Sequence, residues 1–459
     1  NPSSILIDLG DVYQGTEVSL RSHGALMIDL LNYLAYDAWV IGNHEFDCGL
    51  ECFEQALKKS NMPVLAANMS MEGKPAGEFP DTSHPFAKIQ PFILKKIAGI
   101  NLAIIGVTTP GMQFWLWPDF IKGVDFRHPV EPVRRAIAKA KSEGANAIVL
   151  TGHMGLKNRT GGDDFANTVM ALTSEFPDIV VFIAGHTHQD IPNRLTNGVL
   201  FTQADHFGIH VGRVDLLFDR SSKKLLRRQA ICELMDNRFA LDGTIVSRAK
   251  PQLAESEKAL SEPIGDLAET LRGRSDPGRP SDLEVLIGAA IMEALLERQI
   301  PVDGVMHGTF DDNADLVSGP KTVSDIWTVI PFENYIVTAQ LFPDEIKSAM
   351  QEVFASHEKR NLLGFDVKIE GRGDGCRIVS MTLANHELLD PSKKYTIAFN
   401  SFDARSGGHH FMKLRALLER PESKCIRHSV QTRDALIAYF QRHKVVRRVA
   451  AMSPLPVAA

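Results

Sequence analysis

The chain has 459 residues, 44% of them hydrophobic and 23% charged, and a formal net charge of −6. This composition is typical of a globular protein, and the length predicts two domains because one ordinary core does not serve so many residues. The weak negative charge gives no reason to expect a nucleic-acid polymer or an anionic membrane as partner. No apolar run reaches the length of a membrane span.

The first part of the chain alternates short apolar runs with amphipathic segments, which predicts strands and helices in turn. Strands are predicted over 4–9, 38–41, 62–67, 101–106, 147–150 and 179–184, and helices over 24–34, 50–59, 131–143 and 164–175. This order is typical of a layered α/β domain, assigned to residues 1–245.

The later part of the chain has a different pattern. Residues 246–262 are rich in helix formers and predict a linking helix. Residues 263–459 mix helices (282–297, 343–356, 432–442) with strands (336–341, 377–383, 395–400), which predicts an α+β domain. The predicted fold class is therefore α/β, with an N-terminal β-sandwich flanked by helices and a C-terminal α+β domain joined to it by a helix.

Polar residues follow four of the predicted strands, each time directly after a glycine. They are Asp11 after Gly10, Asn43 and His44 after Gly42, His153 after Gly152, and His186 and His188 after Gly185. Alone, each pair fits a turn, and Asn43 or Asp47 fits a helix N-cap. Because strand ends gather at one edge of a layered fold, all four together predict a metal site.

The residue types indicate the metal and its chemistry. Imidazole with carboxylate and amide oxygens suits Zn, Mn, Co or Fe. Five candidate ligands exceed what one tetrahedral ion needs, so two ions bridged by Asp11 are expected. Such a pair of ions creates a hydroxide and clamps the attacking and leaving oxygens of a phosphoryl group.

These motifs together resemble the calcineurin-like metallophosphoesterases, and more narrowly the 5'-nucleotidase family. The resemblance is carried by Gly10-Asp11-Val12-Tyr13-Gln14-Gly15, Gly42-Asn43-His44-Glu45-Phe46-Asp47, Gly152-His153 and Gly185-His186-Thr187-His188. Residues 322–341 and the pair Gly407-Gly408 look like the family's C-terminal domain. The resemblance therefore covers nearly the whole chain.

The resemblance implies a role for each metal-site residue. Asp11 would bridge two divalent ions; Asn43, His153 and His186 would hold one of them, and His188 would serve the other. His44, oriented by Asp47, would act as acid or base at the phosphate or leaving oxygen. This role agrees with the chemistry, since a carboxylate fixes the tautomer of an imidazole and raises its pKa. Glu45 and Phe46 are interpreted as turn and packing residues.

The chain departs from the family pattern at its beginning. The family's Asp-x-His motif, which supplies further ligands to the His188 ion, does not occur in this sequence and would lie upstream of Asn1. We expect a truncation there, with any signal segment also outside the sequence. With only Asp11 and His188 as ligands, the second ion is expected to bind weakly.

The C-terminal motifs depart from the pattern as well. The family's Asn-Gly-Gly-Gly-x-Arg loop falls at residues 307–312, where acid replaces the cation that would hold a phosphate. The nucleoside segment is altered too, and its remaining candidates for substrate binding are Asn400, Phe402, Gly407 and Gly408. Phe402 fits either stacking on a base or packing in a core.

The leading hypothesis is a metal-dependent phosphoester hydrolase that acts on a nucleotide or related small phosphate ester. The altered pocket keeps open a 2',3'-cyclic nucleotide or another phosphodiester as substrate. The missing Asp-x-His keeps open a non-catalytic protein with the same fold. The resemblance implies a periplasmic, cell-surface or secreted location.

Four further residues have no firm role in this pattern. Cys48 and Cys52 lie four positions apart, a poor disulfide spacing and a possible metal face, and are interpreted as packing residues. His206 is interpreted as part of a surface turn and Trp115 as part of a packed loop, although either could approach the site.

Overall fold

The computed structural model describes residues 3–157, 163–309, 311, 313–332, 334–356, 358–371 and 373–449. The chain divides into two compact units, residues 1–256 and 257–459. This division falls inside the helix α7 (Gly243–Leu260), in the segment where the linking helix is predicted. The domain limits predicted from the sequence, residues 1–245, 246–262 and 263–459, remain predictions.

Two β-sheets form the centre of the first unit. The first sheet is parallel and runs in the order β1 (Ile7–Asp8), β2 (Ala38–Val40), β3 (Val64–Leu65), β4 (Ile89–Gln90). The strands of the second sheet are β5 (Phe92–Ile97), β6 (Ile100–Thr108), β7 (Ala147–His153), β8 (Val181–Ala184), β9 (Asp190–Thr196) and β10 (Val199–Ala204). Their order is β9-β10-β8-β7-β6-β5, and its centre, β10-β8-β7-β6, is parallel.

The alternation of side chains along each strand builds four layers. Val40 and Leu65 of the first sheet share a core with Val149 and other residues of the second. On the opposite face, Trp39 packs under helices α2 and α3, given below. The outer face of the second sheet, including Leu150, packs under helices α5 and α6. Since successive residues of a strand point to opposite faces, both sheets need apolar residues throughout.

The helices of the first unit follow the predicted order. They are α1 (Glu17–Arg21), α2 (Ala25–Tyr33), α3 (Leu50–Lys59), α4 (Met112–Trp115), α5 (Val130–Ser142) and α6 (Val169–Glu175). The prediction for α3 is confirmed at both ends. Helix α6 begins five residues later than predicted because Asp164 accepts from the amides of Ala166 and Asn167 and holds a turn before it.

Smaller elements complete this unit. A hairpin consists of β11 (His210–Phe218) and β12 (Leu225–Leu234). A three-stranded sheet consists of Met69–Met71, Lys74–Pro75 and Val124–Phe126, and short 3₁₀ helices lie at His44–Phe46 and Pro85–Lys88.

The second unit contains a five-stranded sheet and two smaller ones. Its strands are β13 (Pro263–Leu267), β14 (Gly304–His307), β15 (Gly319–Thr322), β16 (Tyr335–Leu341), β17 (Asn361–Leu363), β18 (Phe365–Glu370), β19 (Arg377–Leu383), β20 (Tyr395–Asn400), β21 (Ile426–Gln431) and β22 (Val445–Val446). Its sheets have the orders β17-β14-β20-β16-β21, β15-β13-β22 and β18-β19.

Helices cover the five-stranded sheet of the second unit. They are α8 (Asp282–Leu296), α9 (Val323–Val329), α10 (Pro343–Ala355), α11 (Ser401–Ala404), α12 (Met412–Leu418) and α13 (Thr432–His443), with 3₁₀ turns at Gly373–Gly375, Gly407–His409 and Pro421–Ser423. Leu286 of α8 and Phe440 of α13 share a core with Ile336 of β16. The predicted α/β fold class, with a layered first domain and an α+β second domain, is confirmed. Within the described residues, the helices lack the length and apolar character that crossing a bilayer requires.

Candidate active site

Four strand ends bring the predicted ligands of the first unit together. The neighbouring parallel strands β1 and β2 lead to Asp11 and Asn43, while the parallel pair β7 and β8 leads to His153 and His186. Two glycines permit the approach of the first pair. A Cβ on Gly10 would collide with the backbone of Gly42, and a Cβ on Gly42 would collide with the Asp11 carboxylate.

The Asp11 carboxylate lies at the centre of this group. Its Oδ2 is 3.0 Å from His153 Nε2, and its Oδ1 accepts from the His44 amide at 2.9 Å. The Oδ1 atom of Asn43 is 3.1 Å from the same His153 nitrogen. Ligand atoms of Asp11, His153 and His186 all lie within 4.8 Å of one another. Burial alone would raise the pKa of Asp11, but His153 and His44 outweigh it and hold it far below its usual range.

The hydrogen bonding of His153 tests whether a cation fits between these atoms. Nδ1 of His153 donates to the carbonyl oxygen of Leu9 at 2.6 Å, which leaves the lone pair on Nε2 in the neutral ring. That lone pair faces the oxygens of Asp11 and Asn43, an arrangement that repels unless a proton or a metal ion lies among the three atoms. Burial alone would lower the pKa of His153, but Asp11 outweighs it and raises that pKa, so a proton fits there when no metal is bound. The donor set of one carboxylate, one amide oxygen and imidazoles therefore fits a divalent metal ion.

His186 is held in its neutral form by its surroundings. Burial, with the neighbouring His153, lowers the pKa of His186 to about 3. Its ring stacks on Trp115 with the ring centroids 5.3 Å apart and the planes inclined by 27°. Trp115 ends the short helix α4 instead of lying in a loop, and its ring lies against a predicted ligand. This long-range contact carries no signal in the local sequence.

His188 is close to the same group but makes different contacts. Its ring stacks on His206 with centroids 4.8 Å apart and planes inclined by 5°. Nδ1 of His206 is 2.5 Å from the Asp205 carboxylate. Burial and then the nearby His206 lower the pKa of His188. His206 is thus a site neighbour rather than a residue of an isolated surface turn.

The predicted dyad is present beside the metal ligands. Nδ1 of His44 is 2.7 Å from Asp47 Oδ2, while the backbone amide of His44 binds Asp11. Burial alone would lower the pKa of His44, but Asp47 and then Asp11 outweigh it and raise it to about 10. The imidazole is therefore charged at neutral pH and able to donate a proton or a hydrogen bond.

Glu45 is a supporting residue that the sequence interpretation missed. Its side chain is fully buried, and its carboxylate accepts from the amides of Gly42, Asp11 and Val12 at 2.6, 3.0 and 2.7 Å. Burial and the nearby Asp11 carboxylate raise the pKa of Glu45, and the amides oppose that effect. Glu45 joins the turn after β1 to the turn after β2, so it is more than a turn residue. Phe46, also fully buried, packs in the core as predicted.

The structure corrects the interpretation of one cysteine pair. Cys48 and Cys52 form a disulfide, with their Cα atoms 5.8 Å apart, instead of packing as separate thiols. Helix α3 begins at Leu50, so Cys48 precedes the helix and its chain path differs from one full helical turn. That path brings the two Cα atoms into the ordinary range for a disulfide.

The predicted substrate residues of the second unit occupy different environments. Asn400 is 1% exposed; its Oδ1 accepts from the Asp403 amide and its Nδ2 donates to the Asp403 carboxylate. The same carboxylate pairs with the buried Arg360 at 2.8 Å. Asn400 therefore caps α11 within a buried network. Phe402, by contrast, is 46% exposed, which excludes the alternative of a core aromatic.

The two glycines of this segment lie in the 3₁₀ turn Gly407–His409. A Cβ on Gly407 would collide with the Phe402 ring, so this glycine lets the ring lie against the turn. In the loop predicted to meet the phosphate, His307 is fully buried and its Nδ1 donates to the Gly308 carbonyl. Phe310 and Asp312 of that loop lie outside the described residues.

Two family models match the chain. Residues 1–190 match the calcineurin-like phosphoesterase model, and residues 263–416 match the model of the 5'-nucleotidase C-terminal domain. Together the two matches span both units, and they include all the predicted metal ligands and substrate residues.

Individual relatives agree with these matches. The chain is 24% identical to a snake venom 5'-nucleotidase from Gloydius brevicauda over 448 residues, which cover 89% of this chain and 74% of the relative. It is also 24% identical over 438 residues to Endonuclease YhcR from Bacillus subtilis, covering 91% of this chain but only 34% of that relative. The solved structure of a putative 5'-nucleotidase from Staphylococcus aureus is similar with a TM-score of 0.76 and 21% identity, over 95% of this chain and 87% of the other. At that identity the likeness concerns the fold.

Proposed function

The chain belongs to the 5'-nucleotidase family of calcineurin-like metallophosphoesterases, and on that premise we propose that it hydrolyses a small phosphate ester of the nucleotide type. It is a hydrolase of a metal-dependent class. The substrate, the ligand set and the role of each side chain are the parts that the proposal adds.

Asp11, Asn43, His153 and His186 are proposed to hold one divalent ion, and Asp11 with His188 to serve a second. The distances around Asp11 and the lone pair of His153 support this set. Zn, Mn, Co and Fe suit these donors. When bound, such ions stabilise charge on phosphoryl oxygens and lower the pKa of a coordinated water.

His44 is proposed to donate a proton or a hydrogen bond from Nε2 to the phosphate or to the leaving oxygen. Asp47 binds Nδ1, which fixes the ring and keeps the imidazole charged at neutral pH. The observation that carries the proposal is the double attachment of His44: its ring binds Asp47 and its amide binds Asp11. The proton donor is thereby held beside the carboxylate proposed to bridge the ions.

Phe402 is proposed to meet the substrate, because its ring is exposed and rests against the Gly407 turn. The buried side chain of Asn400 is withdrawn from that role. A phosphodiester is the second candidate substrate, since one relative is named an endonuclease. A location outside the cytoplasm is proposed on the name of the venom relative.

A substrate panel tests the proposal on the Mn²⁺- or Zn²⁺-loaded chain. AMP, a nucleotide sugar, a 2',3'-cyclic nucleotide and an artificial diester are compared by phosphate or product release. Turnover of AMP above that of the diesters is expected, and preference for a diester selects the second candidate. Absence of turnover on all four, with metal shown to be bound, would contradict hydrolysis by this chain.

A further inference from the structure

A second group of metal-ligating side chains lies apart from the Asp11 group in the first unit. One ring nitrogen of His23 and the sulfurs of Cys48 and Cys52 all lie within 4.8 Å of one another. Cys48 and Cys52 flank the start of α3, and His23 comes from the turn between α1 and α2, 25 residues before Cys48 in the sequence. The three residues converge through the tertiary fold, since His23 and the cysteines belong to separate elements.

None of these side chains serves the proposed reaction. The Asp11 group and the His23 group have no ligand in common. His23 is exposed, and among the described residues its ring makes no hydrogen bond or ion pair. Its backbone has the left-handed φ of 47°, a conformation that non-glycine residues seldom adopt. The disulfide between Cys48 and Cys52 does not need a histidine beside it, so the position of the His23 imidazole near both sulfurs calls for another explanation.

We propose that this group is a redox-dependent metal site, in which the reduced Cys48 and Cys52 bind a thiophilic divalent cation of the Zn²⁺ type together with His23. A thiol or phosphine reductant delivers two electrons and two protons to the S–S bond and yields two thiols. The metal ion then displaces both thiol protons and accepts two thiolates and one imidazole nitrogen. A small-molecule disulfide reverses the sequence by accepting two electrons: it is reduced to two thiols, the ion is released and the Cys48–Cys52 disulfide re-forms.

The chemistry of the three groups favours a soft ion. Two thiolates and one imidazole match the ligand types of tetrahedral zinc sites and leave the fourth position for water. Both cysteines lie at the N-terminus of the ten-residue helix α3, where the partial positive charge of the helix stabilises thiolates. The Asp11 group offers only oxygen and nitrogen, so sulfur ligation distinguishes the two sites spectroscopically.

Cobalt titration of the full chain tests the site. The chain is freed of metal with a chelator, reduced with a phosphine and titrated with Co²⁺, and a near-ultraviolet thiolate-to-cobalt charge-transfer band is followed. The absorbance of the band at saturation is expected to correspond to one thiolate-bound Co²⁺ per reduced chain, while Co²⁺ bound at the Asp11 group adds no such band, and the band should be missing without reduction. His23→Ala should weaken binding at this site by about tenfold or more, and Cys48→Ser or Cys52→Ser should diminish the band.

Two control variants separate this site from the rest of the chain. Cys232→Ser removes a free, half-buried cysteine and should leave the band unchanged. His186→Ala removes a ligand of the proposed active site and should also leave it unchanged, so failure of the proposed function and failure of this site are distinguishable.

Alkylation of the unmodified sequence provides a test that needs no variant. Zn²⁺ should protect Cys48 and Cys52 of the reduced chain from iodoacetamide, as measured on the peptides by mass spectrometry, and should leave the extent of Cys232 alkylation unchanged. The proposal is overturned if the reduced, folded chain shows no thiolate band. It is also overturned if the band persists in the Cys48→Ser/Cys52→Ser double variant, or if Zn²⁺ gives no protection.

Discussion

Asp11 in the first unit and Asn400 in the second are both polar residues at the end of a strand, but their side chains make different kinds of contact. Asp11 follows β1 and directs its carboxylate towards His153 and the His44 amide. Asn400 ends β20 and turns inward, where it binds Asp403 and is almost fully buried. A strand-end polar residue is therefore a proposed metal ligand in one unit and a structural cap in the other.

The backbone amides explain the difference. In the first unit, Glu45 accepts from the amides of Gly42, Asp11 and Val12, so Asp11 and Asn43 do not have to cap their own turns. In the second unit, Asn400 itself satisfies the amide of Asp403. Because a buried amide must find an acceptor, the three amides that Glu45 binds leave Oδ2 of Asp11 and the side chain of Asn43 available to a ligand, although Oδ1 of Asp11 still accepts from the His44 amide.

The largest effect is expected from removing a proposed ligand of the Asp11 group. His186→Ala should weaken metal affinity by more than about a hundredfold, the upper end of what losing a supporting partner alone costs, and activity should fall with it. Metal content after dialysis and turnover at fixed Mn²⁺ measure both. His128→Ala, which changes an exposed histidine, is the control. Full metal content in the His186 variant would contradict its assignment as a ligand.

Asp47→Asn tests the dyad through pH dependence. The raised pKa of His44, about 10, depends on Asp47 and Asp11 against the opposing effect of burial. His44 acts in its protonated form, so activity is lost as pH rises through that pKa. Removing the Asp47 charge lowers the pKa, and the alkaline limb of kcat/KM should move down by about one unit or more.

A pH profile of initial rates measures that limb. Asp125→Asn, at an exposed position of the same unit, should leave it in place. An alkaline limb that does not move in Asp47→Asn would show that His44 does not act as the proton donor.

Glu45→Gln tests whether the hydrogen bonds from the amides of Gly42, Asp11 and Val12 to Glu45 support metal binding at the Asp11 group. The amide NH₂ of glutamine would face backbone N–H donors, so one or more of the three hydrogen bonds would be lost. Metal affinity should fall by about tenfold to a hundredfold, and the free energy of unfolding by about 1–3 kcal/mol. Calorimetric Mn²⁺ titration and denaturant unfolding measure the two effects. Glu51→Gln, at an exposed position in α3, is the matched control, and equal behaviour of the two variants would remove the supporting role.

Phe402→Ala should have the smallest effect of these variants and should change substrate binding alone. Loss of stacking on a base corresponds to about 1–3 kcal/mol, so KM should rise about tenfold or more with kcat and metal content unchanged. Phe239 is exposed to nearly the same extent, 47% against 46%, and Phe239→Ala is the control. An unchanged KM would leave the second unit without an identified substrate contact.

Local sequence was sufficient for the helices of nine residues or more and for the strand ends that carry the predicted ligands. The predicted bounds of helix α3, residues 50–59, match the structure, in which Gly49 precedes the helix and Ser60 follows it. The strand ends were predictable because one order, a buried strand followed by a glycine and a ligand-type residue, occurs four times in the same domain. Helix α6 was predicted too early because Asp163 and Asp164 accept from amides and delay its start.

The contacts that local sequence could not supply are long-range ones. Glu45 reaches amides that lie 33 and 34 positions earlier, and Trp115 stacks on His186 from the distant helix α4. Asn400 is predicted to bind substrate because the segment that contains it resembles the family's nucleoside segment. In the structure its side chain is buried and bonded to Asp403, which also pairs with Arg360. In each case the partner is chosen by the tertiary fold, and neither residue type nor spacing marks it.

The most direct test of the central claim is His44→Ala with turnover and metal content measured on the same sample. His44 is proposed to move a proton beside the ions without binding them, so kcat should fall by about a hundredfold or more while metal content equals that of the unaltered chain. Loss of metal together with activity would place His44 among the ligands. An unchanged kcat would remove the His44–Asp47 pair from the reaction.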